Sequence, residues 1–488
     1  MESSKQYSPC IIFLIFFSIS IIQAQVDTLW TKTFGGNGYD CGQSVQQTTD
    51  EGFIITGYTE SFGVGLDDVW LIKTNVSGDT LWTKTFGGGS EDIGYSVRQT
   101  LDGGFIITGY TLSFGAGMYD VWLIKTDASG DTLWTKTFGG TNDDFGIAVQ
   151  QTSDEGYVIM GYTDLIGNGL YDIWLIKTDD TGDTLWTRTY GANEDEKGYS
   201  VQQTEDEGYI LVGYTTSFGV GSADVWLIKT NSSGDTLWTK SFGGVYDEWG
   251  YSVQQTSDKG YIITGFTISF GAGLYDVWLI KTNDAGDTLW TKTYGANGEE
   301  QGYCVQQTLD EGYIITGFKR TLGINNTNIW LIKTDGSGNV LWTKTFGGSK
   351  NERGYSVQQT FDGGYIVTGF TTPLGAVSED IWLIKTTPDV SSVEKNNSDF
   401  YLEYTLTQNY PNPFNPSTTI EFDIPSPGFI SLKVFNIMGK EIATLVSKKL
   451  NQGSHTCKFD GGGLASGIYY YQLVAGEFHQ VKKMILLR

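Results

Sequence analysis

Residues 120–140 read DVWLIKTDASGDTLWTKTFGG, and this stretch decides the fold because close copies of it return every 52 residues. Its two tryptophans mark the repeat, since 14 of the 15 tryptophans in the chain fall into two series of seven with that spacing. Seven units therefore follow one another without an insertion or a deletion. The two series are Trp30, Trp82, Trp134, Trp186, Trp238, Trp290 and Trp342, and Trp70, Trp122, Trp174, Trp226, Trp278, Trp330 and Trp382.

One unit, at residues 94–138, contains four runs that are typical of β-strands. They read GYSVRQT, GFIITGYT, DVWLIKT and TLWTKTFG, and they are rich in Val, Ile, Thr, Tyr and Trp. Turns with Asp and Gly join the first run to the second and the third to the fourth, whereas a longer Gly-rich loop joins the second to the third. Four antiparallel strands repeated seven times predict an all-β fold, a seven-bladed β-propeller over residues 26–386.

The two ends of the array predict how the ring closes. The array begins with a lone run of the fourth type at residues 28–34 and ends with a run of the third type at residues 380–386. The last blade therefore lacks its outer strand, and we expect the N-terminal run to supply it, so that no open sheet edge is left at the seam. The unit resembles the repeat of secreted bacterial β-propellers and, more distantly, of kelch-like propellers, which implies the fold but hardly any function.

Charge and composition exclude several classes of function. The chain of 488 residues has a formal net charge of −25, and residues 26–386 hold 21 Lys and Arg against 46 Asp and Glu. This acidity argues against non-specific binding to nucleic acids or anionic membranes. Two histidines and four cysteines leave little material for zinc sites or Ser-His-Asp triads, and the predicted propeller has no histidine. We therefore expect no enzyme and no cofactor, with calcium left open.

The N-terminus reads as an export signal. Residues 1–25 place Lys5 before an apolar run that ends near Ile22 and is followed by a short polar exit. This is the layout of a secretory signal peptide, and the run is shorter than the roughly 20 residues that span a bilayer. The alternative is a membrane anchor that is not cleaved.

The C-terminal region differs in sequence from the repeats and carries a second targeting signal. Residues 387–404 are polar and predict a linker, and residues 405–488 contain about seven short alternating runs that predict a small Ig-like β-sandwich. The segments LTQNYPNPFNPSTTIEFDIP, FNIMGKEIATL, LASGIYYYQL and KKMILLR resemble the type A C-terminal sorting domain of the type IX secretion system. The resemblance implies the type IX machinery as a partner, a Gram-negative source of the Bacteroidetes kind, and a secreted or cell-surface location. The motif residues are Gly439, Gly467, Lys482 and Lys483.

The loops between the predicted blades carry one acid each. A circle of carboxylates at the channel mouth would suit a hard cation such as calcium or a cationic ligand. Alternatively, each acid bonds the backbone amides of its own loop. The acids are Asp40, Asp92, Asp144, Glu196, Glu248, Glu300 and Glu352.

Departures from the repeat predict a ligand site. The position after each of these acids varies most in chemistry and includes Phe145, Trp249 and Arg353, so we expect it to face solvent or ligand, where an exposed ring would stack on a sugar or peptide. Lys319 and Arg320 replace the usual polar pair of one blade and predict, with Lys350 and Arg353, a basic patch; the alternative is scattered surface variation. We expect a non-enzymatic binding or scaffold protein for carbohydrate or another surface polymer. The alternative is a secreted hydrolase, lyase or quinoprotein-like enzyme with an acidic site at the mouth.

Overall fold

A computed structural model describes residues 26–164, 170–321, 323, 326–373, 378–389, 405–409, 411–424, 428–437, 440–450, 453–475 and 478–487. The predicted signal peptide, most of the predicted linker and Gly439 lie outside these ranges. The chain divides into two compact units, Met1–Ser392 and Val393–Arg488. Within the described ranges, no helix is long and apolar enough to cross a membrane.

The first unit contains seven four-stranded antiparallel sheets, which are the predicted blades. The first strands are β2 (Asp40–Gln47), β6 (Asp92–Gln99), β10 (Asp144–Gln151), β14 (Glu196–Gln203), β18 (Glu248–Gln255), β22 (Glu299–Gln307) and β26 (Glu352–Gln359). The second strands are β3 (Phe53–Thr59), β7 (Phe105–Thr111), β11 (Tyr157–Thr163), β15 (Tyr209–Thr215), β19 (Tyr261–Thr267), β23 (Tyr313–Arg320) and β27 (Tyr365–Thr371). The third strands are β4 (Asp68–Thr74), β8 (Asp120–Thr126), β12 (Asp172–Thr178), β16 (Asp224–Thr230), β20 (Asp276–Thr282), β24 (Asn328–Thr334) and β28 (Asp380–Thr386). The outer strands are β5 (Thr80–Phe86), β9 (Thr132–Phe138), β13 (Thr184–Tyr190), β17 (Thr236–Phe242), β21 (Thr288–Tyr294), β25 (Val340–Phe346) and β1 (Thr28–Phe34).

The ring is closed by the N-terminal strand, and the predicted closure is confirmed. Strand β1 pairs antiparallel with β28, with Trp30 opposite Lys385 and Phe34 opposite Ile381. Each first strand also contacts the first strands of both neighbouring blades, and β26 contacts β2, so the seven first strands surround a central channel. Blade one is formed by β2–β5, and blade seven by β26–β28 with β1.

The apolar core lies between the blades rather than inside any one of them. The cluster at the seam joins Val45 and Ile55 of blade one to Ile381 and Leu383 of blade seven, and all four side chains are buried. Each of the other six junctions has a cluster of the same kind. Because burial of one such side chain contributes about 1.5–3 kcal/mol, a blade is stabilised mainly by its neighbours.

The outer-strand tryptophans tie each blade to the next one. The ring of Trp30 meets that of Phe53 edge to face, with 5.8 Å between centroids. It also lies on the turn of the next blade, where Gly78 has a φ of +76° and an added Cβ would approach the Trp30 ring to 2.7 Å. The glycine of this turn is therefore required twice, by its backbone conformation and by the tryptophan.

Glutamines of the first strands form two sets of hydrogen bonds across the blade junctions. In the inner set, the Gln99 N–H donates to Gln46 Oε1 at 2.7 Å, and five further junctions repeat this bond. In the second set, the Thr49 N–H donates to Gln99 Oε1 at 2.9 Å, and the other six junctions repeat it. These bonds explain the recurring VQQ sequence, since both amide oxygens accept hydrogen bonds from a neighbouring blade.

Every blade carries one lysine in its third strand and one lysine or arginine in its outer strand, and the two sets form different ion pairs. Each third-strand lysine is buried and bonds an aspartate in the turn of its own blade, as Lys73 does with Asp50 at 2.9 Å. Six outer-strand cations reach an aspartate in the neighbouring blade, as Lys32 does with Asp79 at 2.8 Å. The outer cations therefore also link blades, in addition to blunting an exposed sheet edge.

The described residues of the second unit form the predicted β-sandwich, with seven strands in two sheets around one core. Phe422, Leu432, Tyr471 and Met484 are buried in that core. The three-stranded sheet has the order β29-β30-β33 and the four-stranded sheet the order β32-β31-β34-β35. The strands are β29 (Thr405–Leu406), β30 (Ser417–Ile424), β31 (Gly428–Asn436), β32 (Glu441–Leu450), β33 (Gly453–Asp460), β34 (Gly467–Ala475) and β35 (Phe478–Leu486).

The third-strand ion pairs provide a matched test of burial inside one protein. The side chains of Lys333 and Asp310 are 0% and 6% exposed, whereas the Asp50 side chain is 56% exposed. We expect Asp310→Asn to lower the free energy of unfolding by about 3 kcal/mol, because it leaves a buried ammonium without its partner. Asp50→Asn should cost less, about 1 kcal/mol, because water reaches the exposed Asp50 carboxylate and screens its attraction to Lys73. Urea unfolding of both variants measures the difference, and equal losses would contradict it.

Candidate functional site

One end of the propeller, here called the loop face, carries the longer connections. First and third strands begin there and second strands end there, for example at Asp40, Asp68 and Thr59 in blade one. The opposite end, the turn face, carries the tight turns. Side chains near the loop-face mouth of the channel therefore come from three strands of every blade, which makes this end the candidate binding surface.

The expected acidic ring at the channel mouth is not observed, because all seven carboxylates are buried and at most 3% exposed. Asp92 accepts hydrogen bonds from the Gly88 N–H at 2.8 Å and the Ser113 hydroxyl at 2.6 Å. Glu248 likewise accepts the N–H groups of Gly244 and Ser269. The arrangement fits the alternative, in which each acid bonds backbone amides of its own loop. Among the described residues, no group of three His, Cys, Asp or Glu side chains could hold a metal ion. The seven acids are Asp40, Asp92, Asp144, Glu196, Glu248, Glu300 and Glu352.

Most of these acids face a second carboxylate, from the start of the third strand in the preceding blade. Between Asp68 and Asp92 the chain needs Gly87, because an added Cβ would lie 1.6 Å from Asp68 Oδ1 and 2.9 Å from Asp92 Oδ2. Burial and the neighbouring Glu248 raise the pKa of Asp224 to about 6, although a hydrogen bond from the Val220 N–H acts to lower that pKa. In the sixth blade Asn328 replaces this aspartate. Comparable pairs are Asp172 with Glu196 and Asp380 with Asp40.

Aromatic side chains surround the channel near the loop face and form what we call the collar. Tyr199, Tyr251, Tyr303 and Tyr355 contact one another in sequence around the axis, each pair with centroids 5.1 Å apart. Every second strand adds one further aromatic ring near its loop-face end. The collar comprises Tyr95, Tyr199, Tyr251, Tyr303 and Tyr355 from the first strands and Tyr58, Tyr110, Tyr162, Tyr214, Phe266, Phe318 and Phe370 from the second strands.

Trp249 and Phe145 lie beside the collar and are half-buried, so the expectation that their rings are exposed is wrong. Trp249 stacks on Tyr214 with centroids 4.5 Å apart and planes 15° apart, and it also contacts Phe266. Phe145 packs between Tyr110 and Tyr162, at 5.1 and 4.9 Å. Their faces are thus covered by rings of their own and the preceding blade. The Trp249 indole N–H is buried without a hydrogen-bond partner.

A cavity of about 340 Å³ opens at the junction of blades six and seven, and we call it the Arg353 pocket. The guanidinium of Arg353 lies over the ring of Phe318, 4.6 Å from its centroid. Burial raises the pKa of Glu379, and the nearby positive charge of Arg353 partly offsets that effect. The side chains that line the pocket include positively and negatively charged groups, an amide, hydroxyl groups and aromatic rings. They are Arg320, Thr327, Asn351, Arg353, Tyr355, Phe370 and Glu379.

The predicted basic patch is a mixed-charge site instead. Arg320 and Arg353 line the same pocket, but Arg320 is paired with Glu299, and Arg353 is accompanied by Glu379. Lys319 lies over the ring of Trp330, 5.0 Å from its centroid, and is not part of the pocket lining. The two arginines therefore do not present an unopposed positive surface.

The sequence analysis missed Glu379 and the aromatic series of the second strands. The aromatic series could have been found, because one position holds Tyr or Phe in all seven units. Glu379 stands where the other units have Asp67, Tyr119, Tyr171, Ala223, Tyr275 and Thr327, so its position varies as strongly as that of Arg353. Only the pairing of β26 with β27 and of β27 with β28 brings the two variable positions together.

In the second unit, three of the four predicted sorting residues can be located. Gly467 opens β34, and Lys482 and Lys483 lie in β35 opposite Tyr471 and Tyr470. Residues 408–487 match the family described as "Secretion system C-terminal sorting domain". The chain therefore carries a type IX sorting domain of the kind found in Bacteroidetes, and it is a protein of the cell surface or the extracellular medium.

Solved structures similar to this chain share little sequence with it, and no curated protein sequence matches it. PorZ, a surface component of the type IX secretion system of Porphyromonas gingivalis, is 12% identical with a TM-score of 0.44. That alignment covers 93% of this chain and 60% of PorZ, so this chain spans less than two thirds of its length. An arabinoxylan arabinofuranohydrolase from Bacillus subtilis is 11% identical, with a TM-score of 0.28 over 80% of this chain and 95% of the other. TM-scores this low carry no argument about function.

The paired carboxylates predict a pH dependence whose sign can be tested. The pKa of Asp224 in the folded protein, about 6, lies above its usual ~3.9, so the native state binds that proton more tightly than the unfolded state. The resulting stability is complete below about pH 4 and is lost as the pH rises through about 6. We expect Asp224→Asn, which copies Asn328, to remove this slope and to raise the free energy of unfolding at pH 8 by about 1 kcal/mol.

Denaturant unfolding between pH 4 and pH 8 measures the effect. Asp284→Asn, in an exposed turn of the fifth blade, is the matched control and should leave the slope unchanged. A parallel pH profile for Asp224→Asn and the native chain would overturn the prediction.

Proposed function

We propose that this exported propeller is a non-enzymatic binding protein, and that its ligand is a carbohydrate or a related hydroxyl-rich surface polymer. The observation that supports this most directly is the Arg353 pocket, which is peculiar to one blade junction. A ligand site needs side chains that the other blades lack, and neither Arg353 nor Glu379 has an identical counterpart in another unit. No bound cofactor is needed for such a role.

The chemistry of the pocket suits sugars better than it suits a simple ion. Neighbouring hydroxyl groups both donate and accept hydrogen bonds, and Glu379 offers acceptors while Arg353 and Asn351 offer donors. The largely buried ring of Phe370 lines the same cavity and provides an apolar edge for ring C–H groups. The Arg353 guanidinium is held over Phe318, so little of its conformational freedom remains to be lost on binding.

The collar offers a second contact zone for a longer ligand. Its rings lie around the channel mouth at the same end as the Arg353 pocket, and Tyr355 belongs to both. Half-buried tyrosines present an apolar body and a hydroxyl group, the combination that is favoured at binding surfaces. A polymer chain that places one sugar in the pocket could therefore contact the collar with the next.

A second candidate function is glycoside hydrolysis, and the one observation that favours it is Asp67. Burial, together with Glu60 and Glu91, raises the pKa of Asp67 to about 6, and one of its carboxyl oxygens is buried without a hydrogen bond. A carboxyl group whose pKa is raised toward neutral pH is what a general acid requires. Turnover of a bound glycan that is abolished by Asp67→Asn would establish this function in place of simple binding.

The binding proposal predicts the outcome of replacing pocket residues by those of the sixth blade. Arg353→Gln copies Gln301 and Glu379→Thr copies Thr327, so both variants should fold. We expect each to weaken binding of an array-selected oligosaccharide at least tenfold in calorimetry, because a desolvated partner loses its hydrogen bonds. Arg188→Lys, which copies the outer-strand lysine of the other units, should bind like the native chain. Undiminished binding by both pocket variants would refute the site.

The export route gives an independent prediction. A chain that ends before Thr405 lacks the sorting domain, and in a bacterium with a type IX system it should remain in the periplasm. Fractionation with antibody detection measures this, and protease resistance of the truncated propeller shows that it is folded. A fluorescent protein fused to residues 405–488 and a signal peptide should be exported. Secretion of the truncated chain would contradict the role of the tail.

A further inference from the structure

The central channel holds one side chain that breaks the sevenfold pattern. In six blades a glutamine directly follows the valine of the first-strand VQQT sequence. In the second blade Arg98 stands at that position. All seven residues line a single cavity of about 270 Å³, and they are Gln46, Arg98, Gln150, Gln202, Gln254, Gln306 and Gln358.

The orientation of the six glutamine amides is fixed by the blade junctions. Each Oε1 accepts the backbone N–H of the next blade, at 2.6–2.8 Å. The amide NH₂ must therefore point away from that bond, and within the described part of the chain none of these six nitrogens donates a hydrogen bond. Because each NH₂ carries two N–H groups, the cavity is lined by a circle of donors.

Arg98 adds a positive charge to this circle. Its Nη1 donates to the Val97 carbonyl at 2.9 Å and to the Ser44 hydroxyl at 3.4 Å. The described residues provide no hydrogen-bond partner for its Nη2 and Nε groups. No Asp or Glu is among the residues that line the cavity. Burial lowers the pKa of Arg98, and no carboxylate is among the groups that act on it.

A cavity with these properties favours an anion over water alone. A guanidinium has five N–H donors and no acceptor, and it stays charged in proteins. A charge that is removed from bulk water needs a partner, and charge-assisted hydrogen bonds are about twice as strong as neutral ones. Water would have to turn its oxygen toward every donor, whereas an anion accepts from all of them.

We propose that the channel is a binding site for one small inorganic anion, held by the Arg98 guanidinium and by glutamine amides of the facing blades. The site lies toward the turn face, since these glutamines are near the turn-face ends of the first strands, and the collar tyrosines narrow the channel on the other side. It is separate from the Arg353 pocket and does not depend on the proposed function. The anion would neutralise Arg98, the one cation among the residues that line this cavity.

Arg98→Gln tests the proposal with little risk of misfolding, because it copies the other six blades and restores the missing bond to the Gln151 N–H. Lys259→Gln is the matched control, since it removes one positive charge from an exposed side chain. Calorimetric titration of the intact chain with sodium phosphate, in a sodium gluconate buffer of constant ionic strength, measures binding. We expect saturable binding of one phosphate to the native chain and to Lys259→Gln, and at least tenfold weaker binding to Arg98→Gln.

Bromide provides a direct view of the position. Crystals soaked in sodium bromide should show an anomalous peak within hydrogen-bonding distance of Arg98, and crystals of Arg98→Gln should not. The proposal is overturned if the native chain shows no saturable phosphate binding, if Arg98→Gln binds as tightly as the native chain, or if the bromide peak is absent from the channel.

Discussion

Burial of apolar surface between neighbouring blades is the constraint on which the rest of the structure depends. The buried side chains of the third strands, such as Leu71 and Ile72, pack on both faces of their sheet. Both faces therefore need a neighbouring blade, and the ring must close for the first and last blades to be covered. The pairing of β1 with β28 provides that closure.

The same constraint explains which positions can vary. Residues at the junctions serve two blades at once, so the tryptophans, turn glycines and glutamine oxygens recur in nearly every unit. The departures Trp249, Arg353 and Arg98 instead stand near the loop face or in the channel, outside the apolar clusters between the blades. We infer that function in a repeat ring is carried by such departures, because a departure inside an apolar cluster would disturb packing.

Many charged side chains of this protein are buried, and each kind is stabilised in a different way. Seven buried lysines are neutralised by turn aspartates, as in Lys333 and Asp310 at 2.9 Å. In contrast, buried acids such as Asp224 and Glu248 lie beside each other, and the cost is reduced by backbone N–H donors and by a raised pKa. The net charge of the chain is acidic, but the channel cavity is not. Among the residues that line it, Arg98 is the one charged side chain.

The sequence alone determined the number of blades, their four strands, the closing strand and the sorting domain, because a 52-residue period and alternating strands are local patterns. It also located the variable positions near Trp249 and Arg353. Tertiary structure decided what those positions do, because burial depends on neighbours that lie about 53 residues away in the chain. Only the folded ring covers Trp249, buries the acids expected at the mouth, brings Arg353 and Glu379 into one pocket, and lines one channel cavity with six glutamines and Arg98.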